Sequence, residues 1–362
     1  MVTRNILIFA FTFIVSLVLT PVSMRLANKY KIIDVPEDGR RMHRRSIPCL
    51  GGLAIFVSVS LAILIFCIKY NNIPAIFIGG IVMFALGVID DKVKLPAYVK
   101  FLVQLLVAIV MYAMGLRIQF IHNYFGEGIL KFSTVGDFVI TVLWIVGITN
   151  SINLIDGLDG LASGTVCINS LCLAYVISSD GQVMGRVAAT MAFIAIAGAC
   201  LGFLPFNFAP AKTFMGDGGA LFLGFMIATL STVGRLKASA AITMLVPVLV
   251  LALPLFDTIF AIIRRLFSKN PIMEADKKHL HHILMESGYG HKRAVLMLYG
   301  LSGILGVSAI LLSKNLNVEA LILFMVAVVY IYVFLTDPSH KPKKRAVRDE
   351  FEDWNRKGYT KK

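Results

Sequence analysis

The chain has 362 residues, 57% of them hydrophobic and 15% charged, with a mean hydropathy of +0.80. A soluble domain carries about 25% charged residues, so a soluble globular protein is excluded, as are low-complexity, disordered and disulfide-stapled classes. The formal net charge is +14, from 35 Lys and Arg against 21 Asp and Glu. In so apolar a chain this points to cations sorted to one face of a membrane, not to nucleic acid. The five cysteines (Cys49, Cys67, Cys167, Cys172 and Cys200) lie in or beside apolar runs without a CxxC pair, and predict neither a disulfide framework nor a zinc site.

A membrane span needs about 20 apolar residues. Charge-free windows occur at 5–24, 46–68, 70–89, 101–116, 138–155, 160–179, 187–211, 218–234, 238–256, 294–313 and 320–336. They predict an all-α polytopic membrane protein of about eleven transmembrane helices, the ninth running on past Asp257 to Ile263. The first window reads as a genuine span, not a cleavable signal peptide. Between the fourth and fifth windows, alternation around Gly126 and Gly128 predicts a small hairpin within 117–136. When successive loops are assigned to alternate faces, 27 Lys and Arg share the side of the C-terminal tail and 8 lie opposite. The positive-inside rule then puts the N-terminus outside and the C-terminus in the cytoplasm. Residues 1–336 form the membrane domain, and 337–362 a basic, disordered tail that hugs anionic headgroups.

Polar and acidic residues at membrane depth are costly and mark function by default. On the predicted cytoplasmic side they come in clusters at the mouths of the spans. RRMHRRSIPCLGG (40–52) reads as a positive-inside loop with a turn. Asp90-Asp91, where the third span ends, is either a solvated helix end or a general base or magnesium neighbour, with Lys94 and Lys100 as phosphate ligands. In NSINLIDGLDGLASG (150–164), Asn153, Asp156 and Asp159 recur every three residues, a spacing that predicts one shared helical face. Gly157 and Gly160 allow close backbone approach to a ligand, and no basic residue in the segment neutralises its acids. Asp217, in FNFAPAKTFMGDGGALFLG (206–224), suits a helix cap or magnesium equally, and Phe214 stands three positions earlier, able to stack on a flat ring. In the basic loop 264–293, DKKHLHHILMESGYGHKR places His279 and His282 on one face of a short helix. Without cysteine or a fourth ligand they fit phosphate better than zinc, or else a solvated surface helix. Asp257 either pairs structurally or faces the site.

Carboxylates mixed with cations on one membrane face predict a magnesium-bound polyphosphate handled beside a lipid substrate. No GxxxxGK[ST] loop is present, and the spaced acids of CDP-alcohol phosphotransferases do not fit DGLDGLASG. Five motifs in order do resemble one family, the polyprenyl-phosphate N-acetylhexosamine-1-phosphate transferases, over roughly residues 5–336. They are the HxxxxPxxGG stretch from His43, VIDDKVK at Asp90, NLIDGLDGL at Asn153, FMGDGGAL at Asp217 and HLHH at His279.

The resemblance implies transfer of a sugar 1-phosphate from a UDP-amino sugar to undecaprenyl phosphate in the bacterial plasma membrane, with release of UMP. DKKHLHHIL, with Leu280 interrupting the histidines, is similar to the branch that uses UDP-N-acetylglucosamine. The muramoyl-pentapeptide branch is the alternative, and a transporter or lipid flippase is the rival of another class. By the same resemblance Asp217 and Asn153 are magnesium ligands, with manganese as a substitute metal. Asp90 and Asp91 deprotonate or orient the lipid phosphate, and Phe214 stacks on uracil above Gly157, Leu158 and Asp159. Asp156 supports the nucleotide or the metal shell, Arg44 or Arg45 contacts the nucleotide, and Lys94, Lys100, His279, His281 and His282 face phosphate. The expected chemistry is a single in-line displacement, against a two-step route through a phosphorylated aspartate; a homodimer is left open.

Overall fold

A computed structural model describes residues 2–34, 46–122, 129–179, 184–233, 245–267 and 279–336. The predicted tail (337–362) and the candidate nucleotide contacts Arg44 and Arg45 lie outside the described residues. The fold is helical, in an order that follows the predicted windows. It runs α1 (Val2–Tyr30), α2 (Gly52–Ala62, continued by a π-turn at Ile63–Cys67), α3 (Ile73–Val93), α4 (Ala97–Ala113), α5 (Thr134–Ile155), α6 (Leu161–Ser179), α7 (Met184–Asn207) and α8 (Gly216–Val233). It continues with α9 (Leu245–Val250), α10 (Ala252–Phe267), α11 (Leu280–Glu286), α12 (His291–Ser313) and α13 (Asn317–Thr336).

Among the described residues eight helices are long and apolar enough to cross a membrane, and two shorter apolar ones fill the second and fourth windows. The ninth window begins outside the described residues and continues as α9 and α10, which carries the helix past Asp257 as expected. The predicted hairpin is present as β3 (Phe120–His122) paired antiparallel with β4 (Ile129–Lys131). A second short pair, β1 (Ile33–Asp34) with β2 (Ile47–Pro48), was not anticipated.

Lipid tails are as apolar as leucine, so helices in a bilayer associate through small residues and close packing. Helix α1 buries Thr12, Ser16, Thr20, Ser23 and Ala27, a four-residue periodicity that forms one stripe facing α7. There Gly198 and Gly202 sit against the backbone of Phe9 and Phe13, leaving no space for a Cβ. Helix α8 is the hub. It packs on α3, α5 and α2 and is buried from Gly218 to Thr232. Among the hydroxyls buried in these spans, Thr20, Ser58, Thr149 and Thr229 donate to the carbonyl four residues back, whereas Ser16, Ser60, Thr165, Ser170 and Thr190 have no hydrogen-bond partner among the described residues. Acidic groups collect where α3 and α5 end and α8 begins.

Candidate active site

Helix α3 ends in Asp90-Asp91, and the two carboxylates face different partners. Asp90 accepts from Leu95 N–H at 2.7 Å and from Lys100 Nζ at 2.7 Å. Asp91 crosses to α8, accepting Asp217 N–H at 3.0 Å and Gly218 N–H at 3.2 Å. A carboxylate on the first free amides of a helix satisfies orphan donors and complements the dipole. Asp91 is thus an N-cap supplied by a neighbouring helix. Gly87, one turn back on α3, makes the approach feasible, because a Cβ there would run into the backbone of Asp217 and Gly218.

Asp217 lies at the centre of the cluster. Its Oδ1 accepts from Asn153 Nδ2 at 3.1 Å and its Oδ2 from Lys100 Nζ at 3.2 Å. Lys100 therefore bridges Asp90 and Asp217 from α4. The predicted shared face of Asn153, Asp156 and Asp159 does not form. Helix α5 stops at Ile155, Asp156 is its C-cap, and Gly160 adopts φ +83°, so the three residues spread over a helix end and a turn. They still converge on one space: Asn153 holds Asp217, Asp156 and Asp159 line a cavity, and Asp159 Oδ2 accepts from Ala211 N–H at 2.9 Å.

That cavity has a volume of about 430 Å³. Its walls include Asp91, Lys94, Gly157, Leu158, Phe214, Asp217 and His282, all singled out in the sequence. Backbone lacing fixes the Phe214 wall: Phe214 N–H donates to Pro48 O at 2.8 Å and Gly51 N–H to Phe214 O at 2.9 Å. Burial, and then the charges of Asp217, Asp91 and Asp159, push the Asp156 carboxyl up to about 7.

The histidines separate. His279 is the residue before α11, so it does not share a helix face with His282; it is buried, with Nδ1 3.0 Å from Asp257 Oδ2. His281 is also buried and its ring packs on Gly157. Burial and the neighbouring His282 push its pKa down to about 3, so it is a neutral ring and not a cation. Only His282 of the three reaches the cavity wall.

Six further wall residues, Ile33, Asp34, Cys49, Asn207, Gly216 and His291, were not singled out as site residues by sequence reasoning. Asn207 is buried, donating to Thr213 O at 3.1 Å and accepting from Ser163 Oγ at 2.9 Å; an amide at the end of an uncharged run was its signal. His291, the first residue of α12, stands 4.0 Å from Asp159, and its Nε2 has no hydrogen-bond partner among the described residues. Cys49 also lines the cavity, its thiol pushed up by burial and by Asp91.

The donor set fits magnesium. No three His, Cys, Asp or Glu side chains enclose an ion among the described residues. Magnesium needs no such cage, since it keeps several waters and takes one or two carboxylates together with substrate phosphates. The hard oxygens of Asp217, to which Asn153 donates, border a cavity where the groups acting on Asp156 are carboxylates, an unbalanced negative charge that a divalent cation would offset.

The family described as Glycosyl transferase family 4 matches residues 73–235. A Bacillus subtilis protein named "Probable undecaprenyl-phosphate N-acetylglucosaminyl 1-phosphate transferase" is 39% identical over 331 residues, 91% of each chain. A Mycolicibacterium smegmatis decaprenyl-phosphate N-acetylglucosaminephosphotransferase is 33% identical, covering 78% of this chain and 76% of its own. A Bacillus mycoides phospho-N-acetylmuramoyl-pentapeptide-transferase is 32% identical, over 82% of this chain and 94% of its own. With its motifs in the family's order, its helices in the predicted sequence and this similarity along nearly the whole length, the chain belongs to the polyprenyl-phosphate N-acetylhexosamine-1-phosphate transferases of glycosyl transferase family 4.

Proposed function

We propose that this multi-pass membrane protein transfers N-acetylglucosamine 1-phosphate from UDP-N-acetylglucosamine to undecaprenyl phosphate, releasing UMP at the cytoplasmic face of the bacterial plasma membrane. The observation that carries the reading is that Asn153 and Lys100 both bond to Asp217, which lines a polar cavity walled by Phe214. The donor sugar is supported by the higher identity to the relative named for N-acetylglucosamine than to the muramoyl-pentapeptide one. The 27 to 8 cation split supports the orientation.

In this reading a lipid phosphate oxygen attacks the β-phosphorus of the donor, and the bond from that phosphorus to the bridging oxygen breaks as UMP leaves. Phosphoryl transfer is mostly alignment and charge neutralisation. Asp217 and Asn153 would hold magnesium, which would supply charge neutralisation. Lys100, Lys94 and His282 hold phosphate oxygens, and Phe214 stacks on uracil between Gly157, Leu158 and Asp159. A phosphate monoester is already largely ionised at neutral pH, with a second pKa of about 6. Asp90 and Asp91 therefore need not act as bases; they anchor Lys100 and the start of α8. The same argument favours direct displacement over a phosphorylated aspartate.

Purified protein in detergent, offered UDP-N-acetylglucosamine and UDP-muramoyl-pentapeptide in parallel with undecaprenyl phosphate, releases UMP from the first in a magnesium-dependent reaction. Asp217→Ala lowers that rate about 10³-fold, the scale of removing a main electrostatic group. Release from the muramoyl donor alone, or full activity of Asp217→Ala, contradicts the reading. A transporter releases no UMP in detergent.

A further inference from the structure

Asp257 is the one acid inside the ninth predicted span, and the chemistry above leaves it unused. It projects from α10 with its side chain 10% exposed, and it is absent from the wall of the polar cavity. Both of its oxygens are nevertheless engaged by the same short segment. Oδ2 lies 3.0 Å from His279 Nδ1, and Oδ1 accepts Leu280 N–H at 2.7 Å. A carboxylate can only accept at those distances, so His279 donates from Nδ1.

Leu280 is the first residue of α11, and His279, in the N-cap position, makes no side-chain cap bond of its own. Asp257 thus does for α11 what Asp91 does for α8. Helix α11 has seven residues, too few to hold itself together or in place without tertiary contacts. Its fixed start leads directly to the cavity. The His279 and His281 rings lie parallel at 5.8 Å, His281 is 4.3 Å from His282, and His282 forms part of the wall.

We propose that Asp257 is a positioning residue of the transferase: its carboxylate clamps His279 and the start of α11 to α10, and so sets where His281 and His282 stand against Gly157 and the phosphate side of the cavity. The clamp joins a helix with a lipid-exposed face, where Phe260 and Ile263 are exposed, to the segment that faces the donor. What the histidines then do to substrate rests on the function proposed above; the clamp itself does not.

The test uses the full-length protein in detergent, with UDP-N-acetylglucosamine and undecaprenyl phosphate as substrates. Asp257→Ala removes both bonds. It lowers kcat about 10²-fold, the scale of a displacement of about 1 Å in a positioned group, with donor KM changed less than about threefold. Asp257→Asn keeps an oxygen for Leu280 N–H but turns an N–H toward Nδ1, reversing the ring's tautomer, and loses about tenfold. Asp257→Asn combined with His279→Ala is no slower than His279→Ala alone, because the carboxylate acts through that ring. Amide exchange across 279–287 rises in Asp257→Ala and stays near wild type in Asp257→Asn. Wild-type kcat in Asp257→Asn, independent losses in the double variant, or unchanged exchange in Asp257→Ala overturns the proposal. A wild-type protein that transfers no phospho-sugar fails the proposed function instead, and exchange still decides the clamp.

Discussion

Helices α8 and α13 are both apolar spans, of 18 and 20 residues, and they are used in opposite ways. The more apolar one, α13, buries only Ala320 and Ala327 and turns Val318, Leu321, Met325 and Tyr332 outward. The less apolar one, α8, is rich in Gly, Ala and Thr and is buried almost end to end. In water the greasiest helix would be the innermost. In a bilayer the solvent is itself apolar, so the helix with the smallest side chains takes the centre, where backbones can meet. The site follows from this: a helix approached so closely on several sides can have its first amides capped by a neighbour while its first carboxylate lines the polar cavity.

Substituting the contact itself tests that contrast most severely. Gly87→Val drives a side chain into the backbone of Asp217 and Gly218, prising α3 from α8 and pulling Asp91 off its two amides. UMP release falls at least about 10²-fold, and the detergent-solubilised protein unfolds at a lower temperature. A milder probe is charge. The Asp156 carboxyl is raised from 3.8 to about 7, so between those values the folded state holds a proton that the unfolded chain has lost. Stability therefore falls as pH rises through that window and stays lower above it. Asp156→Asn removes the penalty: cation-free variant melts above wild type at pH 7.5 and level with it near pH 4. Added magnesium raises the wild-type melting temperature more at pH 7.5 than at pH 5. Equal shifts at both pH values would remove the case for a cation in this cavity. At the quiet end, Leu321→Ala on the outward face of α13 changes the rate of UMP release less than about twofold; a larger loss would mean that α13 has a role beyond meeting lipid.

Hydropathy was enough to lay out the helices, because a span is a property of one segment and of its solvent. The windows fall on helices throughout the described residues, and polar clusters at their ends named Asp217, Asn153, Phe214 and Lys100 as one neighbourhood. Pairings between distant segments were hidden. Nothing local to Asp91 says that it caps a helix starting at Gly216, and nothing near Asp257 names His279 as its partner. The threefold spacing of Asn153, Asp156 and Asp159 pointed to a shared helical face, but the two glycines that follow Asp156 and Asp159 end the helix there. His291 and Asn207 lacked an acidic neighbour to draw attention, and they reach the cavity only through the packing of α12 and α7.

The capping of α8 by Asp91 also bears on how the protein is made. Asp91 and Asp217 are 126 residues apart, roughly 6–25 s of synthesis at 5–20 residues per second. Through that interval the nascent chain already displays Asp90, Asp91 and Lys100 at the membrane mouth, but neither Asp217 nor the amides that Asp91 will hold. A polypeptide released before Gly216 therefore has no half-active form, and sugar nucleotide is consumed only by chains whose eighth helix has been inserted and docked.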